Sequence, residues 1–187
     1  MKVIQLYKNE KVLIKRAIKN SREAQHVLFD MHAPKMLSVC RCYIKDLQHA
    51  EEAMLNGFFK VFKNLRNFKS EGSFEGWIRR IMVRESISFL RQQKHIEFPV
   101  EEIAEISSYT NQINTEFEVA EIQKLIDSLP EGYKMVFVMY AIEGYKHSEI
   151  AELLQITEGT SKSQLFKARK MLQEKINIRN NTSYGAN

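Results

Sequence analysis

The residues best suited to chemistry lie near the C-terminus of this 187-residue chain. Thr160, Lys162, Ser163, Phe166 and Lys167 fall on the outer side of a segment whose Leu165, Ala168 and Leu172 recur at i, i+3 and i+7. Hydroxyls, cations and one aromatic on the first half of a helix match what a DNA major groove presents. Lysine gives charge-assisted bonds to phosphates or guanine edges. Ser163 can bond a base edge of either kind, and Phe166 can touch thymine methyls. The amides near Gly159 and Thr160 open toward a phosphate. This is recognition chemistry rather than bond-making.

Such side chains need a helix held at a fixed angle by a second helix. Ile150, Ala151 and Leu154 supply the inner face of a short helix at 147–154, and Ile156 fills the turn. Thr157 then caps a helix over 158–176. The segment centred on 149–172 therefore reads as a helix-turn-helix, against the plainer reading of a helical hairpin with a basic face. Upstream, apolar spacing predicts helices over 115–128 and 130–142. Pro130 suits a first turn, and Gly144 ends the second of these helices. Residues 179–187 are polar and read as a frayed tail.

A second candidate lies at 62–91. Phe62, Phe68, Phe74, Trp77 and Phe89 alternate with Lys63, Arg66, Lys69, Arg79, Arg80, Arg84 and Arg91. The aromatics suit a core, but the cations do not. With the polar loop 69–73 they suit single-stranded DNA, whose phosphates need cations and whose extruded bases need a small pocket. By itself the pattern fits a solvated helix face equally well. Helical spacing positions it: 12–31, a second helix over 35–45 after a break at Pro34, a third over 50–67 capped by Asp46, and a fourth over 74–93 capped by Ser73.

Charge is unevenly distributed behind a net +5. Segments 60–94 and 158–175 are basic. Between them, 96–127 carries Glu97, Glu101, Glu102, Glu105, Glu116, Glu118, Glu121 and Asp127 against Lys124 alone. Two basic lobes joined by an acidic strap fit a protein that touches a polyanion in two places. Cys40 and Cys42 are too close in sequence for an unstrained disulfide. They lack a second ligand pair for a metal, and read as helix residues in a reducing cytosol. No signal peptide or membrane span is evident, so a cytoplasmic location without membrane insertion is expected. His26, His32, His49, Glu51 and Glu52 lack the spacing of a helical metal site. No catalytic residue, metal or cofactor is expected.

Three runs together resemble a known family, the extracytoplasmic-function (group four) branch of the sigma-70 factors. Ala50-Glu-Glu-Ala-Met-Leu-Asn-Gly-Phe-Phe-Lys-Val-Phe62 is similar to the helix with which that family docks on the clamp coiled coil of the RNA polymerase beta-prime subunit. Residues 72–91 resemble its segment that melts and reads the minus-ten promoter element. Residues 129–172 resemble its reader of the minus-thirty-five element. The resemblance implies an all-α protein of two small helical bundles on a flexible linker, the second a four-helix domain with the helix-turn-helix. The domains would span 12–95 and 115–178, with the acidic linker at 96–114.

The resemblance also implies site residues. Glu51, Glu52, Leu55, Asn56 and Phe59 would dock on core polymerase. Lys69, Ser73, Trp77, Arg80 and Arg84 would hold the minus-ten single strand. Thr160, Lys162, Ser163, Gln164, Phe166 and Lys167 would read duplex promoter DNA. An anti-sigma factor is a further partner to expect. The chain departs from the family pattern at three of these positions. Leu55 stands where glutamine is usual, which implies a more apolar docking contact. Arg84 replaces an asparagine that helps form the flipped-base pocket, which implies a different base preference. Gln164 replaces a basic residue, leaving one cation fewer. The rival reading is a conventional helix-turn-helix regulator with an N-terminal sensing or dimerising bundle.

Overall fold

The computed structural model describes residues 9–93 and 119–184, with side chains described through residue 178. The described residues form helices and no strand, and the chain divides into two compact units between Phe89 and Leu90. The expected linker at 96–114 and the first residues of the helix expected from 115 lie outside the described residues.

The first unit holds α1 (Glu10–Ile18), α2 (Arg22–Tyr43), α3 (Leu47–Lys63), a 3-10 turn (Leu65–Asn67) and α4 (Phe74–Gln92). Its core is built from one face of each helix: Leu13 and Ala17, then Leu28, Met36 and Tyr43, then Ala50, Phe58 and Val61, then Ile78, Met82 and Val83, all buried. Short polar side chains start the helices. Asp46 accepts the His49 amide at 2.9 Å, and Ser73 accepts the Gly76 amide at 3.0 Å. Each such cap contributes about 0.5–2 kcal/mol by satisfying an amide that the first turn leaves without a partner.

The break in the N-terminal helical stretch is not at Pro34. It falls at Asn20, whose φ of 63° reverses the chain, and Ser21 caps the next helix. Pro34 lies inside α2, which runs through it unbroken. Proline forfeits a single backbone bond there. Burial of Leu28, His32, Met36, Val39 and Cys40 on both sides of it holds the helix together.

The second unit holds α5 (Val119–Asp127), α6 (Glu131–Phe137) continued by a π-helical segment (Val138–Ile142), α7 (His147–Leu154) and α8 (Glu158–Tyr184). Gly144 at φ +76° ends the α6 continuation as expected. α8 packs against both α6 and α7, and Leu165 and Ala168 are buried in a core that also holds Met135, Val136, Met139, Ile150 and Leu154. The chain leaves α7 through Gln155, which takes a left-handed conformation at φ 58°. α8 runs past residue 176 to Tyr184, so the helix enters the segment expected to fray. No glycine or proline occurs between Lys175 and Tyr184 to stop it.

Candidate nucleic-acid interface

α8 begins at a cap that fixes its first turn. Thr157 Oγ1 accepts the Thr160 amide at 3.0 Å and lies 2.9 Å from the Thr160 hydroxyl. The cap thus occupies one amide that the sequence reading left open for a phosphate. Beyond it, Lys162 is exposed, and Thr160, Ser163, Phe166 and Lys167 are half-buried. Lys162 stands one helical turn from Glu158, at a loose 4.0 Å. Ser163 donates its hydroxyl to the Thr160 carbonyl at 3.0 Å, which leaves its oxygen able to accept from a base.

Gln164 does not join this surface. It is 1% exposed and faces inward with Leu165 and Ala168. The expectation that it faces DNA is corrected by helical phase. Ser161, Gln164, Leu165 and Ala168 form a wide inward stripe, because α8 is covered by two helices rather than one.

The sequence reading missed a cluster beside this helix. His147, at the start of α7, has Nδ1 2.9 Å from Ser161 Oγ, and Ser161 is fully buried. The His147 ring stacks on Tyr140 at 4.6 Å, and Arg169 lies 5.6 Å from the centre of the other aromatic ring, that of Tyr140. Burial, and then the nearby Lys162, hold His147 below the ordinary histidine range; Arg169 adds to this and Glu158 opposes it. The spacing of His147 and Ser161 across the turn was visible in the sequence. The π-helical widening that brings Tyr140 onto His147 was not.

In the first unit, Lys69, Ser73, Arg80 and Arg84 are exposed. The loop before α4 contains two left-handed residues, Ser70 at φ 60° and Gly72 at φ 100°. Arg80 and Arg84 stand one helical turn apart on α4. Trp77 is half-buried, with Phe74 at 5.8 Å and Phe68 at 5.4 Å. It therefore supports the loop by packing, and only part of it faces outward.

Glu51, Glu52, Leu55, Asn56 and Phe59 share the exposed face of α3. Phe59 is 69% exposed and Leu55 54%. Leu47, also on α3 and also 54% exposed, extends the apolar part of this face. It was missed because it precedes the resembling run, although its i, i+8 relation to Leu55 was legible.

The remaining chemically capable groups do not converge. His26, His32 and His49 pair with Asp30, Glu10 and Asp46 respectively. The described residues hold no group of three metal-ligating side chains. Burial pushes the Cys40 thiol up to about 11, so it stays protonated and unreactive. No helix among the described residues is long and apolar enough to cross a membrane.

Comparison with known proteins accounts for this arrangement. Residues 28–96 match the description Sigma-70 region 2, and residues 120–172 match Sigma-70, region 4. The chain is 23% identical over 181 residues to the ECF RNA polymerase sigma-E factor of Haemophilus influenzae, covering 89% of this chain and 95% of that one. It is 25% identical over 161 residues to the ECF RNA polymerase sigma factor SigM of Mycobacterium tuberculosis, covering 86% and 81%. Its fold is similar to the sigma factor RpoE of Bartonella quintana, solved with the anti-sigma factor NepR. There the TM-score is 0.53 at 16% identity, over 82% of this chain and 96% of that one. CnrH, solved with the cytosolic domain of CnrY, gives a TM-score of 0.52 at 16% identity, over 90% and 97%. With both regions present in order, each on its own helical unit, the chain belongs to the sigma-70 family of RNA polymerase sigma factors, in the extracytoplasmic-function branch.

Proposed function

We propose that this chain is a removable specificity subunit, not an enzyme, that docks on core RNA polymerase and selects promoters through two elements. The observation that carries the reading is the exposed face of α3. Leu55 and Phe59 lie there in water beside Glu51, Glu52 and Asn56. Large apolar side chains gathered on one face with acids mark a protein-binding surface. Its partner would be the clamp coiled coil of the beta-prime subunit.

On this reading α8 reads the minus-thirty-five duplex through Thr160, Lys162, Ser163, Phe166 and Lys167. The loop before α4, with Arg80 and Arg84, captures one unpaired strand of the minus-ten element. Melting is favoured because the open strand binds and the duplex does not. By analogy with the two sigma factors solved with partners, an anti-sigma factor would hold the chain inactive, and it would work in the cytoplasm.

In vitro transcription with core polymerase on genomic DNA, with start sites mapped with and without the chain, tests this directly. Discrete new starts are expected; no chain-dependent start would overturn the reading. Two variants separate the DNA contacts. Arg80→Ala with Arg84→Ala should lower open-complex formation by roughly 10- to 100-fold, at about 1–3 kcal/mol in all, and leave binding to minus-thirty-five duplex unchanged. Permanganate footprinting reports the first and a gel shift the second. Lys162→Ala should weaken duplex binding across sequences and reduce the slope of log affinity against log salt by about one. An unchanged slope would remove Lys162 from the phosphate contacts.

A further inference from the structure

We propose that His147 is a positioning residue for the recognition helix, and that its contact with Ser161 makes duplex binding proton-linked. The inference rests on the duplex-reading role given to α8 above.

Ser161 is fully buried one residue before Lys162, and its hydroxyl meets His147 Nδ1 at 2.9 Å. A buried hydroxyl left without a partner costs about 1–3 kcal/mol. His147 therefore fixes both the rotation of the first turn of α8 and its distance from α7. The ring is itself held: it stacks on Tyr140, which the π-helical segment carries, with Arg169 beside that tyrosine. π-helical turns of this kind recur at functional sites.

The charges around the ring give the linkage its sign. α8 presents Glu158, Lys162 and Arg169 to it, the π-helical segment presents Tyr140, and Lys146 and Glu149 flank it on α7. Burial and the two cations keep the ring neutral at pH 7. A DNA phosphate drawn to Lys162 offsets that positive field and raises the proton affinity of His147. The bound form then holds a proton that the free form lacks. Affinity is greatest below the free-state pKa, declines as pH rises through the bound-state pKa, and is flat above it.

The test uses the full chain with core polymerase. Its probe is the labelled duplex that this complex enriches most from a random-sequence library. Affinity is measured at constant ionic strength from pH 5.5 to 8. Wild type should bind roughly 3- to 10-fold more tightly at the acid end, as a pKa difference of half to one unit requires. His147→Asn keeps a group that can bond Ser161 but does not titrate. It should bind within about threefold of wild type at pH 8 and show no such slope. His147→Phe keeps the ring on Tyr140 and strands the hydroxyl, so it should bind less tightly, and adding Ser161→Ala should restore most of the loss. Equal slopes in wild type and His147→Asn would overturn the proton linkage. Equal affinity for His147→Phe and wild type at pH 8 would overturn the positioning role. If no sequence is enriched over random DNA, the duplex-reading role itself falls, and this inference with it.

Discussion

Replacing Phe59 and Leu55 together by aspartate should abolish transcription directed by this chain while leaving its fold intact. Both side chains stand largely in water, at 69% and 54% exposure, so the folded monomer loses little when they become polar. A docking surface responds differently. Aromatic and aliphatic anchors at the centre of an interface each contribute about 2–4 kcal/mol. New carboxylates beside Glu51 and Glu52 would add repulsion within the face and a desolvation cost on docking. Affinity for core polymerase should fall by at least roughly 100-fold, with the melting temperature of the free chain within about 2 °C of wild type. Analytical ultracentrifugation with core polymerase and a thermal melt check the two halves. Normal co-sedimentation of the doubly substituted chain would place the docking surface elsewhere. Leu47→Asp should give a smaller loss of the same kind, because it lies toward one end of the exposed face.

Gly57→Val should be the most damaging single change to the first unit. Gly57 is buried in α3 where α4 crosses it, and a Cβ there would overlap Met82 Sδ and come within 2.9 Å of its Cε. Met82 is fully buried, so it can yield only by disturbing Ile78, Val83 or the facing helix. Overpacking of this sort costs about 1–3 kcal/mol, and valine's branched side chain adds to it. A loss of about 2–3 kcal/mol corresponds to a drop of roughly 10–20 °C in the melting temperature of a unit this size. Met82→Ala opens space and should recover part of that loss in the double variant, although alone it destabilises. The coupling from a double-mutant cycle is the decisive quantity. If the two changes are additive, the close approach of α3 and α4 at this point is wrong. The face that carries Phe59 lies on the far side of the same helix, so Gly57 links the packing of the unit to the presentation of its docking surface.

Local rules carried much of the fold. Asp46, Ser73 and Thr157 each cap the helix expected of them, because a cap depends on residues three apart. Gly144 stops its helix for an equally local reason, its positive φ. Pro34 shows where local rules end. Its preference is real but small beside the burial on both sides of it, so α2 passes through and the chain turns at Asn20 instead.

The site divides in the same way. The outward set of α8, from Thr160 to Lys167, was legible because a helix with one buried face leaves the rest to solvent. Gln164 and Lys134 were not. Both are 1% exposed, and Lys134 meets its charge partner Glu131 at 3.0 Å. A polar residue type argues for the surface, and only the tertiary structure shows that a second helix covers the position. The helix-turn-helix, the two basic segments and the docking run were set by the sequence alone, through spacing, charge and family pattern. The stack of Tyr140 on His147 and the bond from His147 to Ser161 were decided by the fold. They depend on a π-helical widening and on the angle between two helices, which arise from packing between residues distant in sequence and leave no period to read.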